Sequence, residues 1–366
     1  MKKTVSAVWL GLLLVCSQAN AATQQQIDQA WNKGLAWMML QQRGDGGWSD
    51  SSGLGPQATA EFVNALSSIN LTVNYTFLGG LSWLGHVETA SVDALSRQTG
   101  ALTTARANPL ALATKLLAWR NAKNAWGAYP QYETSLPDTP LAIVALMDAM
   151  GSSFSNTDLA AAACQFLPAQ LPSPDYLWPY SANAATGATL PTGQRVGAIA
   201  PTVHAVLALR KINAERLTSL SCGTTYSLAT VIDHAVTGLL AKGKGDNGFG
   251  DNDVSTVAET ALVYRVLKAL RPTDAATGSA LDYLVARQAA NGSWGDSVYF
   301  SALVLASLPA PSPAALVDTD QDGIPDGVEL VLGTNPLVAD SRFLATVNDP
   351  RFFDADTPQI LSITRN

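Results

Sequence analysis

Histidine and cysteine are scarce in this chain of 366 residues, with three of each. No Ser, His and Asp signature surrounds the histidines, so a hydrolase built on that triad has no support in the sequence. Basic residues are also in deficit. Against 29 Asp and Glu stand 22 Lys and Arg, a net charge of −7, which argues against nucleic acid as a partner. Beyond residue 21 no stretch supplies the ~20 uninterrupted apolar residues of a membrane span, and the expectation is a soluble chain. Runs of β-branched residues are few, which disfavours a sheet. Apolar residues are plentiful, at 47% of the chain, enough for one large core.

The chain opens with Lys2 and Lys3, an apolar run from Val5 to Val15, and the small-x-small triplet Ala19-Asn20-Ala21. This pattern predicts a secretory signal peptide over residues 1–21, cleaved after Ala21, and hence a secreted or periplasmic protein. Cys16 raises the question of a lipid anchor, but Val15 is bulky where that processing site wants a small residue. Loss of Lys2 and Lys3 leaves 20 basic against 29 acidic residues, a charge of −9. The acid is concentrated, with nine Asp and Glu but only three Arg from Pro311 onward. Cys164 and Cys222 remain. An oxidising compartment would allow them to pair, and two separate buried thiols would fit the sequence as well.

From Thr23 to Pro309 the apolar periodicity is helical. "QQIDQAWNKGLAWMMLQQ" runs into Gly46-Gly47-Trp48, and "GPQATAEFVNALSSI" begins a second helix with Pro56 near its first turn, where a missing N–H costs nothing. Helix, Gly-Trp turn, helix recurs with Ala125 and Trp126 in the turn, then with Phe249 in place of Trp, and finally with Gly292 and Trp294. Two weaker units, "NYTFLGGLSWLGHV" with "SVDALSRQTGAL" and "NTDLAAAACQFL" with "AIAPTVHAVLALRKI", fill the gaps. The first helix of each pair is longer and ends in charge or amide. The second is rich in Ala, Leu and Val and begins with the cap formers Thr, Ser or Asp. A helix apolar nearly all round is buried on all sides, so six such helices inside six amphipathic ones describe a double ring.

Gln42-x-x-x-Gly46-x-Trp48 and Gln288-x-x-x-Gly292-x-Trp294 resemble the QW repeats of squalene-hopene and oxidosqualene cyclases. In this reading the glycine allows the reversal, the indole covers the turn and the amide bonds backbone near the next helix. The resemblance covers residues 23 to 309 and implies an all-α fold, the α6/α6 toroid shared with protein prenyltransferase β subunits and complement-like thioester domains. It speaks to fold more than to function. The cyclases protonate their substrate with Asp-x-Asp-Asp-Thr-Ala, and the corresponding stretch here, Ser135 to Pro140, keeps only Asp138 and Thr139, with Pro137 at the donor position. No Asp-x-Cys of the prenyltransferase zinc site is present, and Ser221-Cys222-Gly223-Thr224-Thr225 is not the Gly-Cys-Gly-Glu-Gln of thioester proteins. Polar residues do gather near the starts of the second helices: Gln57, Glu61, Asp138, His204, Glu259 and Tyr299. Glu61, Asp138, His204 and Glu259 are the candidates for a site at the mouth of a central cavity, binding a polar ligand or acting as acid and base. The alternative makes Asp138 an N-cap and the others hydrogen-bonded groups at solvent-facing helix ends.

After the proline-rich stretch 310–317, Asp318, Asp320, Asp322, Gly323, Asp326 and Glu329 fall at positions 1, 3, 5, 6, 9 and 12 of a calcium loop. The Ile324 carbonyl fills position 7, and Glu329 can bind through both oxygens. Proline before the loop and Pro325 within it depart from an EF-hand. The segment resembles the calcium loops of thrombospondin type 3 repeats and similar bacterial modules, in which "GTNPLVADS" commonly follows. Asn335 and Asp340 are candidates for a second, incomplete site. The reading is therefore a signal peptide (1–21), a toroid (22–309), a linker (310–317), a calcium module (318–341) and a tail (342–366). Calcium is the expected cofactor. The expected function is non-catalytic binding of a ligand or protein partner at the toroid's cavity or rim. The alternatives are a divergent terpenoid cyclase-like isomerase, or a polysaccharide lyase or hydrolase on the same geometry.

Overall fold

The computed structural model describes residues 22–50, 53–181 and 196–340. The predicted leader with Cys16, most of the fourth unit's insertion and the tail from 342 lie outside the described residues. Twelve helices follow as six pairs: α1 (Gln24–Leu40) and α2 (Gly55–Ser68), α3 (Tyr75–His86) and α4 (Val92–Thr104), α5 (Leu110–Ala118) and α6 (Asp138–Met150). The rest are α7 (Asn156–Ala163) and α8 (Ile199–Glu215), α9 (Leu228–Leu240) and α10 (Val257–Leu270), α11 (Ala275–Ala286) and α12 (Val298–Leu305). α2, α4, α6, α8, α10 and α12 pack one against the next, and α12 packs against α2, closing an inner ring. Each of α3, α5, α7, α9 and α11 packs on the inner helix before it, and α1 on α12, so the outer ring closes in step. Every inner helix is reached through an outer one running back the other way. The six inner N-termini therefore share one mouth.

The turns repeat in their bonds as well as in their letters. The indole Nε1 of Trp48 donates to the Met38 carbonyl at 2.8 Å, Trp126 to Leu116 at 2.7 Å, Trp178 to Phe166 at 2.8 Å and Trp294 to Leu284 at 2.7 Å. Each of these buried indoles thus binds the last turn of its outer helix or the chain just beyond it, where carbonyls lack helical partners. The backbone N–H of the same residue donates to a hydroxyl on the following inner helix: Thr59, Thr139, Thr202 and Ser301, with Thr260 doing so for Phe249. The Gln amides reach further than the next helix start. Gln42 Nε2 bonds its own Gly46 carbonyl at 2.8 Å and Thr76 of α3 at 2.9 Å, and Gln288 bonds Gly292 at 3.0 Å and Ala30 of α1 at 2.9 Å. They staple neighbouring outer helices. Glycine is required in both turns: Gly46 and Gly292 have φ of +92° and +96°. A Cβ at Gly292 would also meet the Lys33 carbonyl at 2.3 Å.

Ser91, Thr256 and Ser297 cap α4, α10 and α12 as the sequence suggests. Carboxylates from neighbouring turns serve α8, which has no side-chain cap of its own, and add to the cap of α12. Asp251, from the turn before α10, accepts from Ile199 N at the start of α8, and Asp50 accepts from Val298 N and Tyr299 N at the start of α12. A carboxylate there also meets the positive end of the helix dipole. One feature the helical pattern does not announce is a hairpin, β1 (Ser219–Ser221) with β2 (Thr225–Ser227), between α8 and α9. Cys222 at its tip forms a disulfide with Cys164 at the end of α7, settling the open question in favour of pairing. No described helix is long and apolar enough to cross a membrane.

The chain after α12 is tied to the ring. Trp31 Nε1 donates to the Pro309 carbonyl at 2.8 Å, and Asp28 accepts from Ser312 N and Oγ, both at 2.7 Å. A last helix, α13 (Asp326–Leu332), lies against α1. Ile324 and Val328 are buried in the same apolar core as the toroid, so the acidic segment is packed onto the ring through apolar side chains as well as hydrogen bonds.

Candidate functional site

All six inner helices contribute to one polar cluster. Glu61, halfway along α2, is buried and accepts from Arg97 Nη1 of α4 and, at 2.6 Å, from Arg265 Nη2 of α10. Arg97 Nε also donates to Asp93, one helical turn earlier, at 2.9 Å, and Gln57 Nε2 donates to the other Asp93 oxygen at 2.9 Å. α10 and α2 are separated on the ring by α12, so Arg265 and Glu61 meet inside it. Burial pushes the Glu61 carboxyl up, but Arg265 and Arg97 outweigh burial and hold it below its ordinary value. The same contest, won by Arg97, lowers Asp93.

His204 of α8 and Tyr299 of α12 border this network. Burial, with help from Arg97, pushes the His204 imidazole down to about 4, against the opposing pull of Asp93 and Glu61, so the ring is neutral. Its Nδ1 is buried without a hydrogen-bond partner, and so is Gln57 Oε1. Burial raises the Tyr299 phenol. Asp138 opens α6. Ser135 Oγ donates to its carboxylate and accepts its backbone N–H, so the hydroxyl supplies the cap and Asp138 is the first helical residue. Burial, with the Asp93 charge adding to it, raises Asp138 from 3.8 to about 6 against the lowering effect of Ser135.

Of the four sequence candidates, then, Glu61, Asp138 and His204 are buried members of one cluster, not solvent-facing helix ends. Glu259 is engaged elsewhere: it exchanges bonds with Thr256 at the start of α10 and accepts from Asp251 N at 3.2 Å. Sequence reasoning missed Asp93, Arg97 and Arg265. The available signal was a charge at i and i+4 in "VDALSR" and a lone Arg in the apolar "TALVYRVLKAL".

Asp138 gives the cluster a pH signature. Its folded value of about 6 lies above the ordinary 3.8, so its stabilising contribution is complete below pH ~4 and lost as pH rises through 6. Asp138→Asn removes that loss. Thermal melts from pH 4 to 8 are expected to show the variant gaining on the unaltered chain as pH rises, and a constant difference would refute the assignment.

The acidic loop is built differently. Asp318, Asp320 and Asp322 place one oxygen each within 4.8 Å of one another. Asp318 accepts from Gln321 N at 2.8 Å and Gly323 N at 2.9 Å, and Asp322 from Ile324 N and Asp340 N, both at 2.8 Å. Asp326 spends both oxygens on Thr319, and Glu329 Oε1 accepts from Thr334 Oγ1 at 3.2 Å. Asp320 Oδ2 and Glu329 Oε2 are buried with no partner. Burial first, and neighbouring carboxylates second, push Glu329 up. Three converging carboxylates, with Asp320 Oδ2 among them and Glu329 Oε2 beside them buried and unbonded, fit a hard cation such as Ca2+. Asp318, Asp320, Asp322, Glu329 and the Ile324 carbonyl are the donors that would hold it. Asp326 closes the loop, Asn335 bonds Leu337 N, and Asp340 joins Asp322 through its backbone.

The protein is thus a helical double ring with an acidic loop docked on its first helix, and both parts have counterparts among known proteins. Residues 318–339 match the family model of the bacterial TSP3 repeat. No curated protein matches the chain. Among solved structures it is similar to a polysaccharide lyase at 9% identity and TM-score 0.55, covering 78% of this chain and 95% of that one. It is also similar to a possible member of the GH105 family from Salmonella enterica serovar Paratyphi A at 12% identity and TM-score 0.54, covering 83% and 98%. A third is ent-copalyl diphosphate synthase from Streptomyces platensis, at 16% identity and TM-score 0.50, where the match spans 69% of this chain and half, 50%, of the synthase. At such identities the likeness is one of fold, and the fold is the all-α toroid.

Proposed function

We propose that the chain is an exported calcium-binding protein whose toroid holds a polar ligand at the mouth of its inner ring. One observation carries the ligand reading: His204 Nδ1 and Gln57 Oε1 are both buried and unpartnered, and both side chains border Asp93. A buried polar atom without a partner costs free energy that a bound hydroxyl or amide would return. A hydrocarbon would not, and it would have to pack against the charged Glu61, Arg97 and Arg265. Pro137 in place of a proton donor also weighs against cyclase chemistry. Native mass spectrometry of protein purified from its own host is expected to show a retained polar molecule. It should be lost from a folded Gln57→Leu, His204→Leu double variant. An apolar molecule, or equal retention by both proteins, would overturn the reading.

Asp138 favours a second reading. A carboxyl with a value of about 6 can donate a proton to a bound substrate near neutrality, as a general acid does. With a polysaccharide lyase among its neighbours in fold, polysaccharides are the substrates to try. Turnover that disappears in Asp138→Asn without loss of folding would establish it.

A further inference from the structure

We infer that the toroid is itself part of the calcium site, with Asn74 as the positioning residue that holds the loop; the inference rests on the calcium reading above. Asn74 is buried at the N-cap of α3, where its Oδ1 accepts from Phe77 N at 2.8 Å. Its Nδ2 donates to the Gly323 carbonyl at 2.9 Å. Gly323 N in turn donates to Asp318 Oδ2, so an unbroken line of bonds runs from the first turn of α3 to the first carboxylate of the loop.

Close packing reinforces this line. Gly323 has φ of +88°, and a Cβ on it would lie 2.9 Å from Asn74 Cβ. A Cβ on Gly327 would lie 2.3 Å from Asn32 Nδ2, so α13 rests directly on α1. The loop follows α12, the last helix of the ring, and docks on α1 and α3, which belong to its first two units. The segment from Pro309 to Ser312 thus crosses the seam where the ring's two ends meet, and the loop docks beyond it. Docking of the loop and binding of a cation then favour one another, since each orders the segment that the other requires ordered. By linkage, a cation that binds only the docked loop must stabilise the docked toroid equally.

The experiment uses the full chain and Ca2+ alone. Asn74→Ser keeps a capping oxygen for α3 but is too short to reach Gly323. Calorimetric titration is expected to show affinity lowered about five- to tenfold, the value of one buried hydrogen bond. The calcium-free melting temperature should be nearly unchanged, and the rise in melting temperature on adding calcium should shrink. Calcium should also slow amide exchange at Phe77 in the unaltered chain and not in Asn74→Ser. Equal affinity and an equal rise in the two proteins would overturn this inference alone. A failure of the unaltered chain to bind calcium would remove the calcium reading and this inference with it.

Discussion

Calcium titrated into Glu329→Ala is expected to bind roughly 100-fold more weakly than in the unaltered chain, since even residues one shell removed from a metal are worth about 10–100-fold. Glu329 sits on α13, buried, with Oε2 free of protein partners and Asp320 and Asp322 close enough to raise it by their charge. Without a cation these carboxylates repel one another at short range. The same substitution should therefore leave the calcium-free protein no less stable, because it removes repulsion along with a ligand. This pair of outcomes separates a ligand from a packing residue: a packing residue would lower stability with and without calcium. Digestion in chelator provides the second readout. The segment around 318–340 should be cut faster without calcium in the unaltered chain, and at one rate with or without calcium in Glu329→Ala. Equal affinity in the two proteins would end the assignment of Glu329 to the site.

The parts of this molecule legible in its sequence are those encoded locally. Helix pairs show because inner helices are apolar nearly all round, and the acidic loop shows because its acidic residues alternate along twelve positions. The axial network does not show, because its partners lie far apart in the chain: Arg265 and Glu61 are 204 residues apart, and only ring closure brings them together. A lone Arg in an apolar helix carries no sign of which carboxylate it will meet. Trp178 does not show as a turn tryptophan because the fourth unit's insertion breaks the spacing, although its indole makes the same bond as the others. The docking of the loop is hidden for a related reason: Ile324 and Val328, on either side of Pro325, are two apolar residues in an acidic run, and nothing local says that they join the core of the ring.

Removing Glu61 should damage the fold more than any other single change in the cluster. Among the described residues it is the only carboxylate that both arginines share, and all three side chains are largely withdrawn from water, at 5% exposure for Glu61, 11% for Arg97 and 21% for Arg265. Breaking a buried pair from one side leaves an uncompensated charge, at a cost of about 3–5 kcal/mol. In Glu61→Gln, Arg97 keeps the Asp93 carboxylate, but Arg265 is left with neutral acceptors alone: the new amide oxygen, Ser307 Oγ and the Leu303 carbonyl. Urea denaturation at pH 7 is expected to show a loss of that order. Adding Arg265→Met should recover a good part of it, because the stranded charge goes too. Two losses that simply add would show that the arginine was never paired in the folded chain. The pH dependence gives an independent check. Glu61 is held below its ordinary value of 4.5, so its contribution is present above that pH and disappears as the solution is acidified through the lower folded value. The gap between Glu61→Gln and the unaltered chain should be widest at neutral pH and close as the solution is acidified through the lowered folded value. A gap that persists in acid would mean that Glu61 serves the fold by shape alone.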